Sequence, residues 1–197
     1  VTICNKLKEL GYKGRFVTFG SVFEMGETHE ERFFTEEDVL TSTCPAPNDY
    51  TVSKRMLSSF VSSYKHDFTH WHFYIPTIYG AGENPKRLIP YVINAIRNGE
   101  ELHFTAGDQT RQYVHVSEVP RMLAQAFDKS LPSGLYNIQG KETVTVKEIV
   151  TEIHHAMGKE VPDGCFGSVQ RADVGMKYLA LDGKKLHDAT GFEASIK

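Results

Sequence analysis

Two consecutive segments decide the fold: DYTVSKRMLSSFVSSY over residues 49–64 and WHFYIPTI over residues 71–78. In the first segment, apolar residues recur every three or four positions, which predicts a helix of about four turns. The second segment is a short apolar run, which predicts a buried strand. A similar run, RFVTF over residues 15–19, predicts another buried strand before the helix. Strand, helix and strand in this order indicate a βαβ unit of an α/β protein.

The rest of the chain continues the alternation of helices and strands. Residues 27–48, an acidic stretch up to residue 38 followed by a segment with two prolines, predict a surface loop over a cleft. We also predict helices over 1–10, 88–97, 117–127, 146–157 and 186–189, and strands over 101–104 and 135–138.

Composition excludes several classes of protein. The 197 residues carry a formal net charge of −3, and the basic residues are scattered, so we expect no nucleic-acid partner. No apolar run approaches the length of a membrane span, and no signal peptide is visible at the start, so we expect no membrane partner and a cytoplasmic location. The three cysteines form no C-x-x-C pair, which favours a reducing compartment. The histidines have no partners at metal-ligand spacing, so we expect no metal site.

A serine, a tyrosine and a lysine carry the chemistry that the sequence suggests. Tyr50 and Lys54 are four residues apart, which places them on one face of the predicted helix. An ammonium close to a phenol favours the phenolate, which can exchange a proton with a sugar hydroxyl or carbonyl. Ser21, at the end of the first strand, can hydrogen-bond the same substrate oxygen. Taken alone, Tyr-x-x-x-Lys also occurs by chance, as a half-buried tyrosine beside a solvated lysine.

Further motifs in order along the chain give this group its context. They are FVTFGS over 16–21, TIYGAG over 77–82, TRQYVHV over 110–116, YNI over 136–138, DGKK over 182–185 and GF at 191–192. With Tyr50 and Lys54, this series resembles the extended short-chain dehydrogenase/reductases, specifically the NAD(P)-dependent epimerase/dehydratase family that acts on nucleotide sugars. The resemblance runs from about Val1 to Lys197.

The resemblance implies a fold, a cofactor and a set of site residues. The implied fold is part of a doubly wound, Rossmann-like parallel sheet with a small α/β substrate-binding domain. Residues 1–80 would form the C-terminal half of the dinucleotide-binding domain and 81–197 mostly the substrate-binding domain, with about 110–130 returning to the first. The implied cofactor is NAD or NADP, the implied partner is a nucleotide-diphosphate sugar, and the full-length protein would be a homodimer.

The site residues follow from matched positions. The implied catalytic residues are Ser21, Tyr50 and Lys54. The implied cofactor-binding residues are Phe19, Gly20, Tyr50, Lys54 and Thr77. The implied substrate-binding residues are Ser21, Thr77, Arg87, Arg111 and Asp173. For Arg111 the alternative is a surface pair with Asp108, and for Arg87 it is a solvated helix start.

Departures from the family pattern narrow the expected activity. Dehydratases of this group carry Thr-Asp-Glu where this chain has Ser21-Val22-Phe23, so we expect an epimerase or 4-keto reductase. A 4,6-dehydratase and a non-catalytic sugar-nucleotide-binding chain are the alternatives. The family's G-x-x-G-x-x-G turn, which binds the cofactor pyrophosphate, has no match, so we expect that roughly the first third of the enzyme is missing.

Overall fold

The computed structural model describes residues 1–65, 67–169 and 176–197. In these ranges the helices are Thr2–Glu9 (α1), Glu36–Leu40 (α2), Asp49–Ser63 (α3), Leu88–Asn98 (α4), Glu118–Asp128 (α5), Val146–Ala156 (α6) and Lys184–Thr190 (α7), with a 3₁₀ helix over Val22–Met25. The strands are Arg15–Ser21 (β1), Phe33–Phe34 (β2), Thr69–Ile75 (β3), Thr77–Tyr79 (β4), Thr110–His115 (β5), Gly134–Asn137 (β6), Thr143–Thr145 (β7) and Tyr178–Leu181 (β8).

Three parallel strands form the sheet that carries the predicted βαβ unit. Their order is β1-β3-β6, with Phe19 opposite Phe73 and Ser21 opposite Ile75. Because the strands are parallel, their carboxyl ends meet at one edge of the sheet, where Ser21 lies. The predicted α/β class is therefore confirmed, and α3 is the last helix of the connection between β1 and β3.

A second sheet has the order β2-β8-β5-β4, and β7 pairs antiparallel with β5. The chain passes between the sheets at Pro76, since β3 ends at Ile75 and β4 begins at Thr77. Proline has no N–H to donate, so it cannot continue a ladder. The single strand predicted over residues 71–78 is therefore two strands.

The main hydrophobic core lies between the first sheet and two helices, α5 and α7. Trp71 and Phe73 project from one face of β3 and pack with Met122 of α5 and Leu186 of α7. Alternation along β3 sends His70, His72 and Tyr74 to the opposite face. One face of the sheet is therefore apolar, whereas the other carries buried polar groups.

Two predicted elements differ from the structure. The strand predicted over 101–104 is wrong, because of these residues only Phe104 forms a bridge, with Phe166, in the described part of the chain. The loop predicted over 27–48 contains β2 and α2, and α2 begins at a capping box in which Thr35 and Asp38 bond each other's backbone N–H. The division at residue 80 stays a prediction. Residues 118–128 and 134–137 pack or pair with the first sheet.

Candidate active site

A cleft of about 500 Å³ lies at the carboxyl edge of the first sheet. Its described lining residues are Phe19, Gly20, Ser21, Phe23, Asn48, Tyr50, Lys54, Ile75, Pro76, Thr77, Ile78 and Arg87. Parallel α/β sheets place their ligand sites at this edge. The structure thus brings together the strand end, the start of α3 and the start of β4, as the sequence motifs predict.

The first turn of α3 holds Tyr50 and Lys54 at the cleft. The side chain of Asn48 accepts a hydrogen bond from the N–H of Thr51 at 3.0 Å and so caps the helix. Lys54 Nζ lies 5.7 Å from the centroid of the Tyr50 ring and donates to the carbonyl oxygen of Phe19 at 2.7 Å. Tyr50 is 51% exposed. The phenol is therefore open to the cleft, and the ammonium beside it is fixed to the neighbouring strand.

Ser21 is oriented by the turn that follows its strand. Its Oγ accepts a hydrogen bond from the N–H of Phe23 at 3.3 Å, and its own N–H donates to Glu24 Oε1 at 2.7 Å. This is a capping box, the Ser-x-x-Glu pattern at a helix start. The bond from Phe23 uses the hydroxyl oxygen as an acceptor and leaves the hydroxyl hydrogen able to donate to a ligand oxygen in the cleft.

Glu24 is a buried residue at this site that the sequence argument overlooked. Its side chain is fully buried and accepts hydrogen bonds from Ser21 N and from the hydroxyl of Ser58 on α3. Burial raises the pKa of Glu24, while the bonds from Ser58 and Ser21 and the charges of Lys54 and Arg55 act in the opposite direction. The capping-box spacing, Ser21-x-x-Glu24, is the signal that could have identified it.

The remaining predicted substrate residues divide between the cleft and its surroundings. Thr77 and Arg87 line the cleft, and Arg87 Nε donates to Glu83 Oε1 at 3.0 Å. Arg111 does not line it; it lies on β5, where its Nη1 donates to the carbonyl oxygens of Thr110 at 2.8 Å and Lys177 at 3.3 Å. Arg111 and Arg87 both lie close enough to Tyr113 to oppose the rise in its pKa that burial causes. Asp173 lies outside the described residues.

Two features are absent from the described residues, a metal-binding cluster and a membrane-spanning helix. Across the described residues, no cluster of histidine, cysteine and carboxylate side chains is arranged to hold a metal ion. Among the helices in these same ranges, none has the length and apolar character that crossing a bilayer requires.

The fold and the site together define a class of protein. A parallel sheet whose carboxyl edge presents a serine and a Tyr-x-x-x-Lys pair is the arrangement of an extended short-chain dehydrogenase/reductase. The family follows from comparison with known proteins: the chain belongs to the NAD dependent epimerase/dehydratase family, whose model matches residues 1–138. The resemblance inferred from the motifs is confirmed.

A curated relative is similar to this chain in sequence, and solved structures are similar to it in fold. The dTDP-glucose 4,6-dehydratase of Escherichia coli is 27% identical over 142 residues, which is 66% of this chain and 37% of that protein. The structure of dTDP-glucose 4,6-dehydratase from Bacillus anthracis str. Ames in complex with NAD superposes with a TM-score of 0.82 at 18% identity, covering 100% of this chain and 61% of that one. The Bordetella bronchiseptica enzyme WbmG in complex with NAD and UDP gives 0.78 at 17% identity, covering 99% and 58%. The chain therefore spans less than two thirds of the length of these relatives.

Proposed function

We propose that the whole protein is an NAD- or NADP-dependent epimerase or 4-keto reductase that acts on a nucleotide-linked sugar. The observation that carries this proposal is the composition of the cleft. It combines an exposed phenol on Tyr50, a fixed ammonium on Lys54 and an oriented hydroxyl on Ser21. None of its described lining residues is Asp or Glu.

The nicotinamide end of a dinucleotide fits this cleft. The Lys54 ammonium gives one hydrogen to the Phe19 carbonyl and retains two for the hydroxyls of a ribose. Thr77 and the Phe19-Gly20 strand end would flank the ring. The 197 residues contain no glycine-rich turn for the pyrophosphate, so we assign only the nicotinamide end to them. When bound, the cofactor supplies a hydride acceptor or donor at its nicotinamide ring.

The chain's own residues would move the proton that accompanies this hydride. Tyr50 Oη takes the hydroxyl proton from the sugar as the C–OH carbon becomes a carbonyl, and returns a proton when that carbonyl is reduced. Ser21 donates a hydrogen bond to the same sugar oxygen and so fixes its position. Arg87, with Arg111 nearby, would contact the diphosphate, since a guanidinium makes paired hydrogen bonds with phosphate oxygens.

The structure favours this chemistry over 4,6-dehydration. Elimination of water needs an acid and a base, which the family's dehydratases supply from the two residues after the Ser21 position. Here those residues are Val22, which is buried, and Phe23, which lines the cleft with an apolar ring. The next carboxylate, Glu24, is fully buried and already hydrogen-bonded. The described lining residues therefore include no carboxylate pair for the elimination.

An isotope experiment tests the proposal. The whole protein is incubated with NAD or NADP and with UDP-, dTDP- or CDP-linked hexoses that carry deuterium at C4. An epimerase returns the label to C4 of the epimer, whereas a reductase run in its oxidative direction leaves the label on the reduced cofactor. A 4-keto-6-deoxy product would show dehydration instead. Binding of the nucleotide sugar without any transfer of label would favour a non-catalytic binding chain.

A further inference from the structure

A chain of buried polar side chains runs behind the candidate active site. On the polar face of the first sheet, Thr18 Oγ1 lies 2.9 Å from His70 Nε2 and 2.8 Å from His72 Nδ1. His72 Nε2 lies 3.0 Å from Ser58 Oγ, which contacts Glu24 Oε2. His72, Ser58 and Glu24 are each at most 1% exposed. The chain therefore ends on Glu24, whose other oxygen binds the N–H of Ser21.

The hydrogen bonds of this chain can all point in one direction. With Glu24 as the carboxylate, to which the N–H of Ser21 also donates, Ser58 donates its hydroxyl hydrogen to Glu24. The Ser58 oxygen then accepts from His72, which places the proton of that ring on Nε2. Burial, with the charges of His70 and Lys54, lowers the pKa of His72 to about 3, so the ring is neutral at pH 7 and its Nδ1 accepts from Thr18. Thr18 in turn accepts from His70.

Glu24 also connects the two elements that carry the reacting groups. Tyr50, Lys54 and Ser58 follow one another at four-residue intervals, so they share one face of α3. The Glu24 side chain bridges Ser58 on that face to the backbone of Ser21 at the strand end. The guanidinium of Arg55, also on α3, holds the Glu24 carbonyl oxygen at 2.7 Å. Glu24 thus links the backbone of Ser21 to the face of α3 that carries Tyr50.

We propose that Glu24 is a positioning residue, which fixes the position of the Ser21 hydroxyl relative to the Tyr50 phenol. Glu24 does so as the final acceptor of a hydrogen-bond chain whose bonds all point towards it. This inference rests on the proposed function, in which Ser21 and Tyr50 contact the substrate. Its chain geometry is independent of that function. A displacement of about 1 Å at a reacting group can cost on the order of 100-fold in rate. Glu24 therefore acts on turnover more than on binding.

The direction of the chain is tested by ¹⁵N NMR of the histidine rings at pH 7. We expect His72 to be neutral and protonated on Nε2, with Nδ1 as the acceptor. Protonation of His72 on Nδ1 would mean that Ser58 donates to the ring and not to Glu24. That result would overturn Glu24 as the final acceptor of the chain, whatever reaction the protein catalyses.

The effect on catalysis is tested in the whole protein with Glu24→Gln, which keeps the shape but removes one of the two acceptors. We expect kcat to fall about 10- to 100-fold, with KM for the nucleotide sugar changed less than about threefold. Glu152→Gln, at an exposed position on α6, is the matched control and should match the wild type. Should Glu24→Gln fail to fold, Ser58→Ala removes the hydrogen bond between α3 and the Glu24 side chain and should lower kcat in the same way. The exposed neighbour variant Ser59→Ala is its control.

The outcomes separate this proposal from the proposed function. If Glu24→Gln and Ser58→Ala turn over at the wild-type rate while Tyr50→Phe is impaired, the positioning role is wrong and the function stands. If Tyr50→Phe itself turns over normally, the proposed function fails and the positioning role fails with it. A rise in KM with unchanged kcat would assign Glu24 to binding, which also contradicts the proposal.

Discussion

Substitution of Gly20 by alanine should destabilise the fold even with no cofactor present. A Cβ atom at this position would lie 2.6 Å from Glu24 Oε1, 2.6 Å from His72 Nε2 and 2.6 Å from Tyr74 Cδ1. All three side chains are fully buried, so none can move into solvent. The glycine is therefore required because β1 passes directly over the buried polar chain.

The magnitude follows from two contributions. Overpacking a close-packed interior costs about 1–3 kcal/mol, and disturbing the charged hydrogen bond from Ser21 N to Glu24 costs about 1.5–3 kcal/mol. Since the two overlap, we expect a loss of roughly 3 kcal/mol, which lowers the urea midpoint by about 1–1.5 M. Trp71, the single tryptophan, is buried in the main core and reports unfolding by its fluorescence.

The matched control is Gly134→Ala, another strand glycine, where the added Cβ would come no closer than 3.3 Å to the Tyr136 ring. We expect this variant to lose less than about 1 kcal/mol. A Gly20→Ala protein as stable as the control would show that β1 and the buried chain are not packed as described. Position 20 would then tolerate a Cβ atom when no cofactor is bound, as expected if Gly20 were required for cofactor binding alone.

Two further predictions concern the carboxyl-terminal segment and the diphosphate contacts. Glu118 is 1% exposed and accepts hydrogen bonds from Ser195 N and Oγ and from Ile196 N. Burial raises the pKa of Glu118, but these hydrogen bonds outweigh the effect of burial and hold the pKa at about 2. Glu118→Gln should therefore lower the free energy of unfolding by about 1.5–3 kcal/mol at pH 7, and this loss should shrink as the pH falls from 4.5 towards 2. Urea unfolding of both proteins at pH 7 and below pH 4.5 measures the loss. A loss that stays constant between these pH values would contradict the prediction. Arg87→Ala should weaken the binding of UDP or dTDP to the whole protein by about 1.5–3 kcal/mol, measured by calorimetry. The loss should exceed that of Arg111→Ala, because Arg87 lines the cleft and Arg111 does not. An equal or larger loss for Arg111→Ala would place the diphosphate elsewhere.

The elements that the sequence predicted well have either a clear helical periodicity of apolar residues or a continuous apolar run. The helix over residues 49–64 is α3, and the run RFVTF lies in β1. Both bury a continuous apolar face or run, so tertiary packing and local pattern agree. The strand predicted over 71–78 is two strands in the structure, because the sequence alone did not show whether Pro76 lies within one strand or separates two. The partner of the second piece, β5, lies more than 30 residues further on, and local pattern does not reveal such a pairing.

The site was predictable where its residues lie close to an ordinary motif. Ser21, Tyr50, Lys54 and Thr77 line one cleft because parallel strands bring their carboxyl ends together. Glu24 was missed because a glutamate after a strand is expected in solvent, and its burial depends on Ser58 and His72 in other elements.

Tyr50 is the group that transfers the proton in the proposed reaction, and one measurement tests this role. The measurement is single-turnover transfer of hydride between nicotinamide and nucleotide sugar in the whole protein, with Tyr50→Phe compared with the wild type. Tyr91→Phe, at a 43% exposed tyrosine on α4 that does not line the cleft, is the control. We predict that Tyr50→Phe loses about 10²- to 10⁴-fold in rate while its affinity for the nucleotide sugar and its stability are nearly unchanged. A rate of Tyr50→Phe within about twofold of the wild type would contradict the role of Tyr50 in proton transfer.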